Sequence, residues 1–356
     1  MSPSAGAFEL ASRIADEHLF PTSQDIDRSA LVPRSRFEVL AETGLFGIAG
    51  PADLGHLDLD PAPARRVMAA IAGGCGATFF CWAQHHGVVR TVRSSTAEDL
   101  PASLLGDLCD GTLMAGVAFA HLRRTDRRAV TARRVSGGWT FDGHAPWATS
   151  WGIADLFAIA AESDDGEVVW GLLPGSPTVG VHPTALALPV LASTGTVALD
   201  FDGCFIEDQA VITVEDVTAW RVADRRRAAI GQPAVLGVAE RAIRLLEASD
   251  RAESTTHLLR HELEAAWRRD DALLSGASIE AASAHRADCL DLGRRATTAL
   301  LAAVGGGGME LSHPAQRLAR EAMFYVIQAQ TDDGRAATLR RAGSPSGTVE
   351  NSRPRG

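Results

Sequence analysis

The sequence predicts an α+β chain in three successive parts: a helical N-terminal part, a middle β part and a C-terminal helical bundle. Three observations carry this expectation. Apolar residues recur at helical spacing up to about residue 110, as in Phe37, Leu40, Ala41, Leu45 and then Val67, Ala70, Ile71. Over 113–214 the texture changes to short β-rich runs, such as Trp139-Thr140-Phe141, Leu156-Phe157-Ala158-Ile159 and Val168-Val169-Trp170, separated by glycine-rich or acidic turns. After Val217 the helical period returns and persists to Arg341. The predicted division is therefore 1–111 helical, 112–216 β and 217–342 a helical bundle, followed by a disordered tail over 343–356, rich in Gly, Pro, Ser and Arg.

Each part has its own punctuation. In the first, the apolar run 67–83 is shorter than a membrane span, carries three glycines and ends in Gln84-His85-His86, so it reads as one buried helix. In the second, Asp142-Gly143 predicts a hairpin turn; the strand that follows presents Trp147 and Thr149 on one face, because side chains alternate. In the third, helices are predicted near 228–250, 256–275, 279–303 and 314–341. Pro233 predicts a kink in the first and Gly276 the end of the second. Gly305-Gly306-Gly307-Gly308 breaks the pattern, and Ser312 is the predicted N-cap of a helix that opens at Pro314.

Composition bounds the function. The 356 residues are 46% hydrophobic and 22% charged, an ordinary globular balance compatible with two or three units or one packed subunit. Acidic residues outnumber basic ones 44 to 34, and no basic tract exceeds Arg225-Arg226-Arg227, so no nucleic-acid footprint is present. Every basic residue is arginine, which excludes Schiff-base, pyridoxal-phosphate and P-loop chemistry. The five cysteines include no C-x-x-C pair, which argues against zinc and fits a reduced compartment. With no basic, then apolar leader at the N-terminus and no membrane span, the expected location is cytoplasmic.

Two segments carry the chemistry. The run from Gly137 to Trp151 offers an indole plane and a hydroxyl, Trp147 and Thr149, to a flat heteroaromatic ligand; a sheet face with a core tryptophan has the same pattern. The glycine run permits positive φ and close approach of backbone amides to a cofactor, as would a plain interhelical loop.

Taken together these segments resemble the acyl-CoA dehydrogenase superfamily. Gly138-Trp139, Gly143 and Trp147-Ala148-Thr149 are similar to that family's middle-domain Gly-Trp, Gly and Trp-x-Thr sequence. Gly305 to Glu321 is similar to its Gly-Gly-x-Gly, Pro and Arg-x-x-Arg-(Asp/Glu) segment. The resemblance spans nearly the whole chain. It implies an N-terminal helical domain, a middle β-barrel or sandwich and a C-terminal four-helix bundle that forms a homodimer or homotetramer. It implies FAD, with FMN as the alternative, held by Trp147 and Thr149 with Phe119, Ser150 and Thr331 nearby. Gly305, Gly306 and Gly308 would approach the adenine end of an FAD bound mainly by the neighbouring subunit.

The chain also departs from the family. Ala329-Gln330-Thr331 stands where the family has Glu-Gly-Thr, and Arg227 aligns with the alternative glutamate; neither alanine nor arginine can act as a general base. Glu253, Thr256 and His257 replace an Arg-x-x-Phe-Gly that meets the FAD pyrophosphate. Phe119-Ala120-His121-Leu122-Arg123-Arg124 replaces the Thr-Glu-Pro loop and offers Arg123 and Arg124 to phosphate. Three residues remain as candidates for proton handling. Asp332 lies three residues beyond Ala329 on the expected helix; His85 and His86 fall where flavin monooxygenases of the superfamily carry a functional histidine. The implied activity is oxidation of an acyl-CoA or acyl-thioester-like substrate by hydride transfer to flavin N5, with an electron-transfer flavoprotein as partner. One alternative is a two-component monooxygenase, supplied by a flavin reductase and acting on a small aromatic or biosynthetic intermediate; the other is a non-catalytic binding or assembly subunit.

Overall fold

Alternation along one strand explains why the middle of this chain is buried on both sides. In the computed structural model, which describes residues 3–97, 99–231, 233–249 and 251–344, β4 (Leu156–Ser163) sends Phe157, Ile159 and Ala161 into one apolar core and Ala158 and Ala160 into a second. The helices before it supply both cores: α1 (Pro3–Ile14), α2 (Ser23–Arg28), α3 (Ser35–Glu42), α4 (Pro61–Gly74), α5 (Gly76–Arg93) and α6 (Leu100–Asp110). The second core is closed by the C-terminal half of α5, by α6 and by the first turn of the helix that leaves the sheet.

The sheet comprises β1 (Ala115–Ala118), β2 (Val130–Val135), β3 (Gly138–Ala148), β4, β5 (Glu167–Pro174), β6 (Val181–Ala185), β7 (Val197–Glu207) and β8 (Val211–Asp216). Its order is β6-β7-β3-β2-β4-β5-β8, with β1 parallel to β4. The hairpin between β2 and β3 turns at Gly137, φ 80°, because Val135 already pairs with Gly138. Asp142-Gly143 is therefore not a turn. It lies within β3, where the register against β7 shifts between Phe141 and Gly143.

The C-terminal part is α7 (Val217–Ile230), α8 (Ala234–Glu247), α9 (Glu253–Leu273), α10 (Ile279–Val304), α11 (Pro314–Tyr325) and α12 (Asp332–Gly343). The long α10 packs on each of the other five. Several boundaries differ from expectation. Near Pro233 the helix is broken rather than kinked: the chain leaves helical geometry at Gly231, and α8 restarts just after Pro233, whose fixed φ suits a helix start. The apolar run 67–83 is two helices, separated by an extended Cys75, so His85 and His86 lie in the middle of α5 rather than at a helix end. His313, not Ser312, caps α11, its Nδ1 accepting from the Ala315 amide. The helix expected over 314–341 is interrupted at 326–331, where Ala329 has φ 50°, and Thr331 caps α12 by accepting from the Gly334 amide. Of the expected tail, Gly343 ends α12 and 345–356 lie outside the described residues.

The N-terminal part is locked to the bundle where α4 crosses α8. A Cβ on Gly237 would sit 1.9 Å from the Ala69 carbonyl oxygen, so only glycine permits this approach. The Arg-x-x-Arg-Glu segment reinforces the junction. Arg317 pairs with Glu321 at 2.5 Å inside the core, while Arg320 reaches Asp27 and the Pro189 carbonyl. Among the described residues no helix is long and apolar enough to cross a membrane.

Candidate functional site

A cavity of about 760 Å3 opens where the end of β3 meets the 119–125 loop, α7 and the 324–335 turn. Among the residues singled out from the sequence, Phe119, Trp147, Thr149, Thr331 and Asp332 line it, as do Arg123, Arg124 and Ala329. Trp147 is 45% exposed in spite of its size, whereas Thr149 is buried. Phe119 is wedged edge-on and tilted between Trp220 and Trp170, at centroid distances of 6.0 and 5.8 Å.

Behind Trp147 runs a chain of hydroxyls that sequence reasoning missed. Thr149 Oγ1 is 3.1 Å from Thr196 Oγ1, which is 2.8 Å from Thr194 Oγ1, and Thr194 donates to the Leu191 carbonyl at 2.7 Å. All three threonines line the cavity. Their only sequence signal is the Ser-Thr-Gly-Thr run over 193–196, which carries no periodicity.

The charges facing the cavity are mostly neutralised in place. Arg123 clamps Asp224 with bonds of 2.7 and 3.0 Å, so Arg123 is not free for phosphate as the sequence suggested. Arg225 clamps Asp333 at 2.6 and 2.8 Å, which holds that carboxyl below the usual carboxylate range. Arg124 lines the same cavity, is exposed, and has no carboxylate partner among the described residues. Asp332 meets Arg335 at 3.0 Å, but its side chain is 97% exposed. Since Ala329 is not helical, the expected i+3 relation between Ala329 and Asp332 does not exist.

The turn that carries Ala329 is held from below by Arg286, another residue without a sequence signal. Its guanidinium donates to the carbonyls of Ala228 and Ala329 at 2.8 and 2.9 Å, and also to that of Gln328. Burial without a carboxylate lowers its pKa to about 10.

The structure does not bring the two histidines to this cavity. His85 is fully buried; the Ala115 amide donates to its Nδ1 at 3.1 Å, so Nε2 carries the proton and donates to the Leu108 carbonyl at 2.9 Å. It joins α5 to α6 and β1, and burial lowers its pKa to about 4. His86 is equally buried, packs edge-on to Trp82 with centroids 4.4 Å apart, and has a pKa driven well down by burial and then by His85. Neither lines the cavity, although Gln84 beside them does. Ser150 is also fully buried off that wall, at φ 76°. Arg227 is exposed on α7.

The glycine turn lies elsewhere on the chain. Gly305 needs its lack of a side chain, with φ 76°, but Gly306 and Gly307 have open space where a Cβ would stand. Gly305, Gly306 and Gly308 do not line the cavity of their own chain.

Comparison with known proteins adds to this geometry. A family model described as acyl-CoA dehydrogenase, N-terminal domain, matches residues 7–112. Benzylmalonyl-CoA dehydrogenase of Aromatoleum aromaticum is 29% identical over 226 residues, which is 58% of this chain and 56% of that protein. The match thus spans about half the length of that relative. The mitochondrial 2-methylacyl-CoA dehydrogenase of Solanum tuberosum is 24% identical over a longer alignment, covering 94% of this chain and 88% of its own length. Among solved structures, a glutaryl-CoA dehydrogenase of Mycobacterium smegmatis in complex with FADH2 superposes with a TM-score of 0.82 at 15% identity, over 96% of this chain and 95% of that one. An FAD complex of PigA does so with 0.81 at 18% identity, over 96% and 98%.

Proposed function

The chain belongs to the acyl-CoA dehydrogenase superfamily, and from that premise we propose that it is an FAD-dependent oxidoreductase acting on an acyl-CoA or a similar acyl thioester. The observation that carries this reading is the convergence of Trp147, Thr149 and the 324–335 turn on one cavity of about 760 Å3. A cavity of that volume accepts a ring system. A half-exposed indole beside a buried hydroxyl suits a flat heteroaromatic one. Bound there, a flavin would supply the two-electron acceptor.

The chain's own residues would divide the remaining work. Trp147 packs on the ring and Thr149 holds an edge of it. Arg124, which lines the cavity and has no carboxylate partner among the described residues, takes an anionic group of substrate or cofactor. The open space at Gly306 and Gly307 supports a role for that turn outside its own chain, toward the adenine half of a cofactor seated in a neighbouring subunit. The active form on this reading is a homodimer or homotetramer.

Dehydrogenation also needs a base for the substrate α proton. Ala329 and Arg227 cannot provide one. Asp224 and Asp333 are each clamped by an arginine, whereas Asp332 makes only an exposed pair, of a kind that contributes little. Asp332 is therefore the cavity carboxylate free to take a proton. Anaerobic mixing with a panel of acyl-CoAs tests the reading through loss of oxidised-flavin absorbance. Bleaching by at least one thioester, slowed tenfold or more by Asp332→Asn, is the expected result; no bleaching by any of them overturns it.

A second reading is favoured by the same arginine clamps, which leave the cavity poor in free base. A two-component monooxygenase takes reduced flavin from a reductase and needs no carboxylate to start. Oxygen uptake coupled to hydroxylation of a small aromatic substrate would favour it.

A further inference from the structure

We infer that the threonine chain beneath Trp147 has a fixed polarity that makes the ring site prefer reduced over oxidised flavin. The inference rests on the flavin reading above and adds to it the redox state that the apoprotein selects.

The polarity follows from counting protons. The Leu191 carbonyl can only accept, so the 2.7 Å bond takes the single hydroxyl proton of Thr194. Thr194 Oγ1 is then an acceptor for Thr196 at 2.8 Å, which commits the proton of Thr196. Thr196 Oγ1 in turn accepts from Thr149 at 3.1 Å, which commits the last proton. Thr149 is left with lone pairs and no hydrogen to offer. The three hydroxyls are buried, with Thr149 at 6% exposure, Thr196 at 8% and Thr194 at 0%, so water does not compete for these bonds and the orientation is cooperative.

A hydroxyl that can only accept selects a ligand edge that donates. The edge of an oxidised isoalloxazine carries acceptors at N1, N5 and both carbonyls, and a single N–H at N3 between those carbonyls. Two-electron reduction adds an N–H at N5, the atom that must face the substrate space if hydride is to reach it. Thr149 lines the cavity, and if N5 is the ring atom seated against it, the hydroxyl would gain a donor partner only when the flavin is reduced.

The test compares equilibrium binding of oxidised and dithionite-reduced FAD to the flavin-stripped full chain under anaerobic conditions. Reduced FAD should bind tenfold or more tightly. Equivalently, the two-electron midpoint potential of the bound flavin should lie about 30 mV or more above that of free FAD. Thr196→Val removes the acceptor for the Thr149 proton and lets that hydroxyl donate into the cavity; the preference should collapse to within about twofold, mainly through weaker binding of the reduced form. Thr194→Val breaks the chain one link further back and should act in the same direction if the first variant does not fold. Equal affinity for the two states in the unmodified protein, or variants that weaken both states alike, would overturn the polarity while leaving the flavin reading standing. Failure to bind FAD in either state overturns both.

Discussion

The Arg286 guanidinium donates to the Ala329 carbonyl at 2.9 Å and so fixes, from the buried side, a residue held at φ 50° on the cavity wall. Three carbonyls converge on this one side chain. Arg286→Met keeps most of the bulk and strands those acceptors, at a cost of ~1–3 kcal/mol for each that stays buried and unpaired. Urea unfolding should show a loss of a few kcal/mol, and FAD affinity should fall with it. An unchanged midpoint would mean that the 326–331 turn holds itself.

Replacing Trp147 and Thr149 together with alanine should strip most of the flavin from a protein that remains folded. Trp147 is half-exposed and contributes little to the core, so circular dichroism and the melting temperature should change far less than flavin content. Full flavin occupancy in the double variant would remove the ring site from this cavity.

Ala329→Glu places a carboxylate on the cavity wall at the position where the sequence lacks one. The unmodified chain should oxidise butyryl- or octanoyl-CoA slowly, and the variant on the order of a hundredfold faster, if general-base catalysis is what is missing. Stopped-flow bleaching of the flavin reads both rates. Brisk oxidation by the unmodified protein that survives Asp332→Asn would point to a different base.

Acid should weaken the fold before it touches the chemistry. His85 and His121 are buried, and each has its pKa lowered from 6.5 to about 4 by desolvation. The unfolded chain therefore binds these protons first. Stability is complete above pH 6.5 and declines as pH falls toward 4, with each histidine contributing on the order of 3 kcal/mol across that window. Denaturant midpoints measured from pH 7 to 4 should show this slope, and His85→Gln should flatten it; a midpoint constant over that range would contradict the burial.

Met309 and Leu311, 69% and 58% exposed beside the glycine turn, mark the face expected to meet a neighbouring subunit. Introducing glutamate at both should lower the mass seen by light scattering and weaken FAD more than FMN, because FMN lacks the adenine half. A monomeric unmodified protein with full FAD content would exclude the shared site.

What the sequence made legible was what periodicity and short motifs encode. The helix, strand, helix order and the glycine turn are local patterns; Trp147 and Thr149 do line one cavity, but not by strand alternation, since β3 ends at Ala148. The errors fell where a local signal competes with tertiary context. Asp142-Gly143 is a strong turn signal, yet β7 pairs along both sides of it and keeps the strand running. The break at 326–331 has no proline or glycine to announce it, and the donor that takes its carbonyls at 328 and 329 is a buried arginine some forty residues earlier. His85 and His86 looked reactive because imidazole titrates near neutrality, but a single sequence does not show that both are buried off the cavity wall, where desolvation lowers their pKa. The threonine chain was missed because its polarity depends on which carbonyl lies at its end.

The contact between Gly237 and the Ala69 carbonyl also limits how this chain can be recombined with its relatives. A chimera joined near residue 112 would take α4 from one parent and α8 from another, and any side chain at 237 would push the two backbones apart. The segment that the family model matches, 7–112, is thus not a portable module: its packing depends on a glycine more than a hundred residues downstream.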